Sequence, residues 1–206
     1  MATVNDQQAE APFFILGNPR SGTTLLRLIL SAHPLVVVPP ECGFAQWLFR
    51  DYGDWSAEDS RDAERIGTFL RALQQSRKFE TWDLDVEILH QEIFAQQPDT
   101  YARLVDLVYR TYAQQQGKQV RIWGDKNNYY IKHIDTLLQI YPQAKFIWLL
   151  RDGRDVACSY RDLNQRKISS AYKPNLPSEM AAIAREWRDN NTLIGAHLDW
   201  LPSEQV

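Results

Sequence analysis

A loop bounded by glycines, set between a short apolar run and a leucine-rich stretch, constrains this chain more than any other feature. Phe13-Phe14-Ile15-Leu16 is a continuous apolar run stopped by Gly17. A run that short, with no polar alternation, fits a strand buried on both faces of a parallel sheet. Asn18-Pro19-Arg20-Ser21-Gly22 is rich in turn formers. Residues 23–32 are leucine-rich and too long for a typical strand, so they read as a helix packed on the sheet. His33-Pro34 closes it, because proline disfavours helical geometry in the residue before it.

The same alternation continues along the chain. Leu35-Val36-Val37-Val38 is a second strand candidate, closed by Pro39-Pro40. Val120-Arg121-Ile122-Trp123 is a third, ended by Gly124-Asp125-Lys126, and Phe146-Ile147-Trp148-Leu149-Leu150 a fourth, ended by Arg151-Asp152-Gly153. Between the second and third lies a polar, helical middle, residues 44–116. Its best segment starts after Pro98 with Asp99 as N-cap, repeats Tyr101, Leu104, Val105, Val108 and Tyr112 at helical spacing, and stops at Gly117. Further helices are expected over 129–140 and 178–198, the latter with Ile183, Trp187, Ile194 and Leu198 on one stripe. Strands alternating with helices predict an α/β fold, a mainly parallel sheet flanked by helices in three layers.

With 206 residues, the chain is sized for one domain, expected over 12–206 after a flexible tail at 1–11. Twenty-three basic against 26 acidic residues leave a net charge of −3, which argues against a nucleic-acid partner held by general basicity. Cys42 and Cys158 are too few for a disulfide framework or a four-cysteine zinc site, so a reducing compartment is the simpler reading. The first twelve residues lack the basic and apolar regions of a secretory signal, and no stretch approaches 18 apolar residues. A cytoplasmic protein with no membrane span is the expectation. His90, His133 and His197 lie in helical segments without ligand spacing, so no metal site is indicated.

In a strand–loop–helix context, the loop's backbone N–H groups and those of the helix start converge on an anion. Ser21, Thr23 and Thr24 add hydroxyl donors and Arg20 a forked cationic one. Gly17 and Gly22 have the G-x-x-x-x-G spacing of a P-loop, but Thr23 stands where nucleotide kinases carry the lysine that neutralises the β- and γ-phosphates. A smaller anionic group suits this loop better than a metal-bound triphosphate. Residues 13–26, FFILGNPRSGTTLL, resemble the 5′-phosphosulfate loop of the sulfotransferases that use 3′-phosphoadenosine 5′-phosphosulfate (PAPS). The resemblance is nearest the tyrosylprotein sulfotransferase branch and its bacterial relatives, and it implies a P-loop-type α/β domain. Arg20, Ser21, Gly22, Thr23 and Thr24 would then hold the 5′-phosphosulfate.

That family binds the 3′-phosphate with an arginine ending a strand and a serine eight residues later. FIWLLRDGRDVACSY, residues 146–160, supplies Arg151 and Ser159. Independently of the resemblance, an arginine at a strand's C-terminal end lies on the ligand edge of an open sheet, and its planar fork suits phosphate. Arg154 and Asp155 read instead as members of a surface ion-pair cluster that includes Arg151 and Asp152. Sulfuryl transfer also needs a base for the acceptor proton and cations near the leaving oxygen. Glu41 follows the second strand through Pro39-Pro40; by the resemblance it is the base, with Lys126 and Arg20 stabilising the transition state. Taken without the family, Glu41 reads as a solvated loop carboxylate and Lys126 as an exposed lysine. His33, the rival base by analogy with the histidine-using branch, lies at the exit of the first helix and reads as structural. Trp47-Leu48-Phe49 fits either an acceptor pocket or plain core.

The resemblance thus implies a metal-independent PAPS-dependent sulfotransferase, with part of the family's C-terminal region expected to be missing after Val206. Its acceptor hydroxyl (or amine) stays open among alcohol, phenol, sugar, peptide tyrosine and polyketide. The alternatives are a P-loop ATP-dependent small-molecule kinase and a non-catalytic nucleotide-binding module. Oligomeric state is not legible.

Overall fold

The computed structural model describes residues 10–166, 169, 171–172 and 174–206, so the expected tail lies almost wholly outside the described residues. Four parallel strands, β1 (Phe13–Leu16), β2 (Val36–Val37), β3 (Ile122–Lys126) and β4 (Lys145–Trp148), form a sheet in the order β2-β3-β1-β4. Parallel neighbours need crossover connections. The helices that supply and surround them are α1 (Thr23–Ser31), α2 (Phe44–Trp47), α3 (Phe49–Tyr52), α4 (Ala63–Gln75), α5 (Val86–Gln96), α6 (Tyr101–Gln115), α7 (Ile134–Ile140), α8 (Gly153–Gln165) and α9 (Met180–Leu198). Among the described residues no helix is long and apolar enough to cross a membrane.

β1 runs through the middle of the sheet, and all four of its residues are buried. The pleat sends alternate side chains to opposite faces. Phe13 and Ile15 pack with Val38 and with Leu26 and Leu30 of α1. Phe14 and Leu16 join the larger core, which includes Ile66 and Phe69 of α4, Leu89 and Ile93 of α5, and Leu104 and Val108 of α6. Val156, Ala157 and Tyr160 of α8 pack with Ile183 of α9 in a smaller cluster.

The departures from the expected boundaries have local causes. β2 is only two residues long, because Ser31 Oγ bonds both the N–H and the carbonyl of Val38 at 3.0 Å, and His33 Nδ1 accepts from the Leu35 N–H. β3 does not stop at Trp123 but continues through Gly124, Asp125 and Lys126, paired with Phe13, Phe14 and Ile15. Gly124 is no terminator here: a Cβ there would lie 2.3 Å from the Phe13 ring, so glycine lets the two strands carry an aromatic between them. Thr100 rather than Asp99 caps α6, its hydroxyl accepting from the Arg103 N–H, while Asp99 pairs with the Arg103 guanidinium at 3.1 Å. Gly117, at φ 70°, follows that helix as expected. The predicted 129–140 helix divides into a 3-10 turn, Asn128–Lys132, and α7.

Candidate functional site

The loop between β1 and α1 takes two left-handed residues, Arg20 at φ 70° and Gly22 at φ 95°. Glycine adopts that conformation freely, whereas an arginine there is strained, a cost typical of functional loops. The Ser21 N–H closes the turn on the Asn18 carbonyl at 3.1 Å. Asn18 is fully buried and anchors the loop from behind. Its Nδ2 donates to the Tyr160 hydroxyl at 3.1 Å, its Oδ1 accepts from Asn190 Nδ2 at 2.8 Å, and Tyr160 in turn donates to Glu186 at 2.7 Å. The loop is thereby fastened to α8 and α9. Ser21 Oγ is buried and has no hydrogen-bond partner among the described residues.

Arg151 and Ser159 both meet this loop. Arg151 Nη1 donates to the Arg20 carbonyl at 2.9 Å, and Arg20 Nε donates to Ser159 Oγ at 3.0 Å. The Arg151 carbonyl accepts from Trp187 Nε1 at 2.9 Å, which holds the exit of β4 against α9. Asp152 caps α8 through the Arg154 N–H and carries the exposed Arg154 guanidinium at 2.6 Å. Asp155 lies 3.9 Å from Arg151, so Arg154 and Asp155 belong to the expected surface ion-pair cluster.

Glu41 follows β2 and is three-quarters shielded. Lys126, at the end of β3 and only 4% exposed, donates to Glu41 Oε1, and Lys78 donates to Oε2 at 2.5 Å. Burial works to raise the Glu41 carboxyl, but the two ammonium groups outweigh it and hold it below the ordinary carboxylate value. The neighbouring Cys42 thiol is buried and pushed up to about 12 chiefly by burial, so it is no nucleophile.

Behind Lys126, Asp125 is fully buried. One oxygen accepts from the hydroxyls of Tyr109, at 2.5 Å, and Tyr130; the other accepts from the Lys126 N–H at 2.6 Å. Burial pushes its carboxyl from 3.8 up to about 7, against the hydrogen bonds that favour the anion. The folded chain therefore keeps a proton that the unfolded chain loses above about pH 4, and this contribution to stability falls as pH rises from about 4 to 7. In Asp125→Asn the difference vanishes, so thermal unfolding followed across that window should show a flatter pH dependence than in the unaltered chain. Identical slopes would mean that Asp125 is already ionised there.

Two cavities meet at Glu41. The one of about 340 Å³ is bordered by Arg20, Gly22, Thr23, Thr24, Lys126 and Arg151. The other, of about 510 Å³, is bordered by Trp47, Tyr129, Ile131, Leu176, Arg77 and Lys132, among others. Glu41 and Lys78 border both. Of the residues singled out in the sequence, Ser21 and Ser159 are outside the two linings: Ser21 is buried in the loop, and Ser159 acts on Arg20. His33 is exposed, borders neither cavity, and only closes its turn. Trp47 lines the larger cavity, edge-on to Tyr129, while Leu48 is core and Phe49 packs against it. Lys78 had no sequence signal, being 37 residues from Glu41 in a polar stretch. Asn18 was visible within the loop, but its anchors on Tyr160 and Asn190 were not.

The sulfotransferase family matches residues 12–206. Protein-tyrosine sulfotransferase 1 of Danio rerio is 29% identical over 158 residues, 77% of this chain and 36% of that protein. Nodulation protein NoeE of Sinorhizobium fredii is 32% identical over 148 residues, 72% of this chain and 30% of that protein. Among solved structures, the sulfotransferase domain of the Synechococcus PCC 7002 olefin synthase aligns at a TM-score of 0.57 with 22% identity, covering 97% of this chain and 66% of that one. The sulfotransferase domain from the curacin biosynthetic pathway aligns at 0.54 with 21% identity, covering 95% and 65%. The chain thus spans about a third of the length of these curated relatives and just under two thirds of these solved ones. A strand–loop–helix junction at the C-terminal end of a central strand of a parallel sheet, read together with a family match over residues 12–206, places it: this chain belongs to the sulfotransferase family.

Proposed function

We propose that this chain transfers a sulfuryl group from PAPS to a hydroxyl-bearing acceptor, with Glu41 as general base. The observation that carries this reading is the place of Glu41 at the boundary of the two cavities, with Lys126 on its carboxylate. One cavity is lined by cations and loop residues, the other by aromatic and apolar groups such as Trp47, Tyr129, Ile131 and Leu176 interleaved with asparagine and charged side chains. A donor with anionic groups at both ends of its nucleoside suits the first and an acceptor skeleton the second. Two of the relatives' names supply the class at its broadest: one is a protein-tyrosine sulfotransferase, the other a nodulation protein. The acceptor here is a small molecule or a peptide.

The loop fits the donor in a specific respect. Ser21 Oγ is a buried donor in that loop lacking a partner among the described residues, and Arg20, Lys126 and Arg151 converge on the smaller cavity. Arg20, Ser21, Gly22, Thr23 and Thr24 would hold the 5′-phosphosulfate; Arg151 and Ser159 would hold the 3′-phosphate. The acceptor oxygen forms a bond to sulfur while the bond from sulfur to the bridging phosphate oxygen breaks. The acceptor proton passes to Glu41, and the negative charge that grows on the leaving phosphate faces Lys126 and Arg20. The products are the sulfated acceptor and adenosine 3′,5′-bisphosphate.

Calorimetry tests this reading: adenosine 3′,5′-bisphosphate should bind, and more tightly than ATP with Mg²⁺. Preference for ATP would favour a kinase, and bisphosphate binding without turnover a nucleotide-binding module. Because Lys126 and Arg20 occupy the place where leaving-group charge develops, transfer from PAPS should survive EDTA. Activity lost in the chelator and restored by Mg²⁺ would overturn that assignment of roles.

A further inference from the structure

Glu41 carries two lysines, and they are not equivalent. Lys126 arrives from β3, is almost fully buried, and borders only the smaller, cation-lined cavity. Lys78 arrives from the other side of Glu41, stands in the left-handed conformation (φ 71°) just before the 3-10 turn Phe79–Trp82, and borders both cavities. That turn is pinned to the core by buried Phe79 and Trp82. Trp82 Nε1 also donates to the carbonyl of Pro40, the residue before Glu41, at 2.8 Å. The backbone that carries Lys78 is therefore latched to the backbone that carries the carboxylate it meets. Tyr172 covers the lysine from above, its ring centroid 5.5 Å from Lys78 Nζ and its hydroxyl on Glu80.

An ammonium on each oxygen lowers the affinity of the carboxylate for a proton, although each oxygen keeps a second lone pair. An anion entering the smaller cavity meets Lys126 in its lining, where its charge competes with Oε1 for that ammonium. We propose that Lys78 is a positioning residue for Glu41: its ammonium holds Oε2 and leaves Oε1 to the acceptor side once the donor engages Lys126. This rests on the reading of Glu41 as base. The charged groups around Glu41 are Lys126 and Lys78 in contact, Asp125 buried behind Lys126, Arg20 and Arg151 across the smaller cavity, and Arg77, Lys132 and Glu186 along the larger one.

The test is ¹³C NMR titration of the Glu41 carboxyl in chain labelled at the glutamate carboxyl carbons, assigned with Glu41→Gln, together with turnover. In Lys78→Met the titration should move to higher pH, since a neighbouring cation is gone, and Lys78→Arg should bring it back. Turnover of Lys78→Met should fall by roughly 10- to 100-fold, the scale of a misplaced reacting group. Affinity for adenosine 3′,5′-bisphosphate should stay within about twofold, because the residue is assigned to the base and not to the donor. An unmoved titration, or a loss of bisphosphate affinity that matches the loss of turnover, would overturn the proposal. Should Lys78→Met not fold, Lys78→Asn, which suits a left-handed backbone, carries the same expectations. The titration needs no sulfuryl transfer, so it judges Lys78 even if PAPS proves not to be the donor. Transfer from PAPS with an unmoved titration would instead sink this inference alone.

Discussion

Glu41→Gln should lower turnover by about 10²- to 10⁴-fold, the usual contribution of a general base, while adenosine 3′,5′-bisphosphate still binds. The amide keeps the size of the carboxylate but cannot take the acceptor proton. It also presents an N–H₂ group to one of the two lysines, Lys126 or Lys78, that now donate to Glu41. Some stability is therefore lost with the charge, and turnover must be counted per folded molecule. His33→Ala is the contrasting case. His33 is exposed, lies outside both cavities, and its ring accepts the Leu35 N–H at 3.2 Å. Its removal should leave turnover within roughly tenfold, because no proton acceptor leaves the site. Normal turnover in Glu41→Gln with loss in His33→Ala would move the base to His33.

Arg151→Ala should weaken adenosine 3′,5′-bisphosphate by roughly tenfold to more than a hundredfold, the worth of a charge-assisted hydrogen bond of about 1.5 to 3 kcal/mol. Binding of 5′-AMP, which lacks the 3′-phosphate, should change much less. Arg151 Nη1 also supports the Arg20 carbonyl at 2.9 Å, so some loss for 5′-AMP is expected through the loop. The Trp187 bond goes to the Arg151 backbone and survives the substitution. The ratio of the two losses, measured by calorimetry, is the readout. Equal losses would make Arg151 a support of the loop rather than a phosphate ligand.

The strands were legible because four short, mainly apolar runs bounded by Gly, Pro or Arg-Asp-Gly alternate with helical stretches, although only β1 is buried throughout. Their ends were less so. A glycine inside β3 reads as a stop until the Phe13 ring is seen filling the space where a Cβ would be. The boundaries of β2 depend on Ser31, which bonds the Val38 backbone from a helix seven residues earlier. The place of the loop at 17–24 between β1 and α1 was readable because its turn formers and glycines act locally. The Arg151 and Ser159 spacing was readable because both sit on one strand–helix unit.

What the sequence determined by itself is the α/β order and the glycine-bounded loop after the first strand; Arg20, Arg151 and Ser159 stand out on short segments with local spacing, whereas Glu41 and Lys126 were candidates only through the family resemblance. Tertiary structure alone decided which of them meet. Lys78 reaches Glu41 across 37 residues, Arg20 reaches Ser159 across 139, and Asn18 reaches Asn190 across 172. Nor could composition show that Asp125, with two tyrosine hydroxyls on it, is fully buried while its chain neighbour Lys126 reaches Glu41. The reason is physical: a buried ion pair or hydrogen bond depends on distance and desolvation, and both come into being only when the sheet, α8, α9 and the 3-10 turn at Phe79–Trp82 have closed around one another.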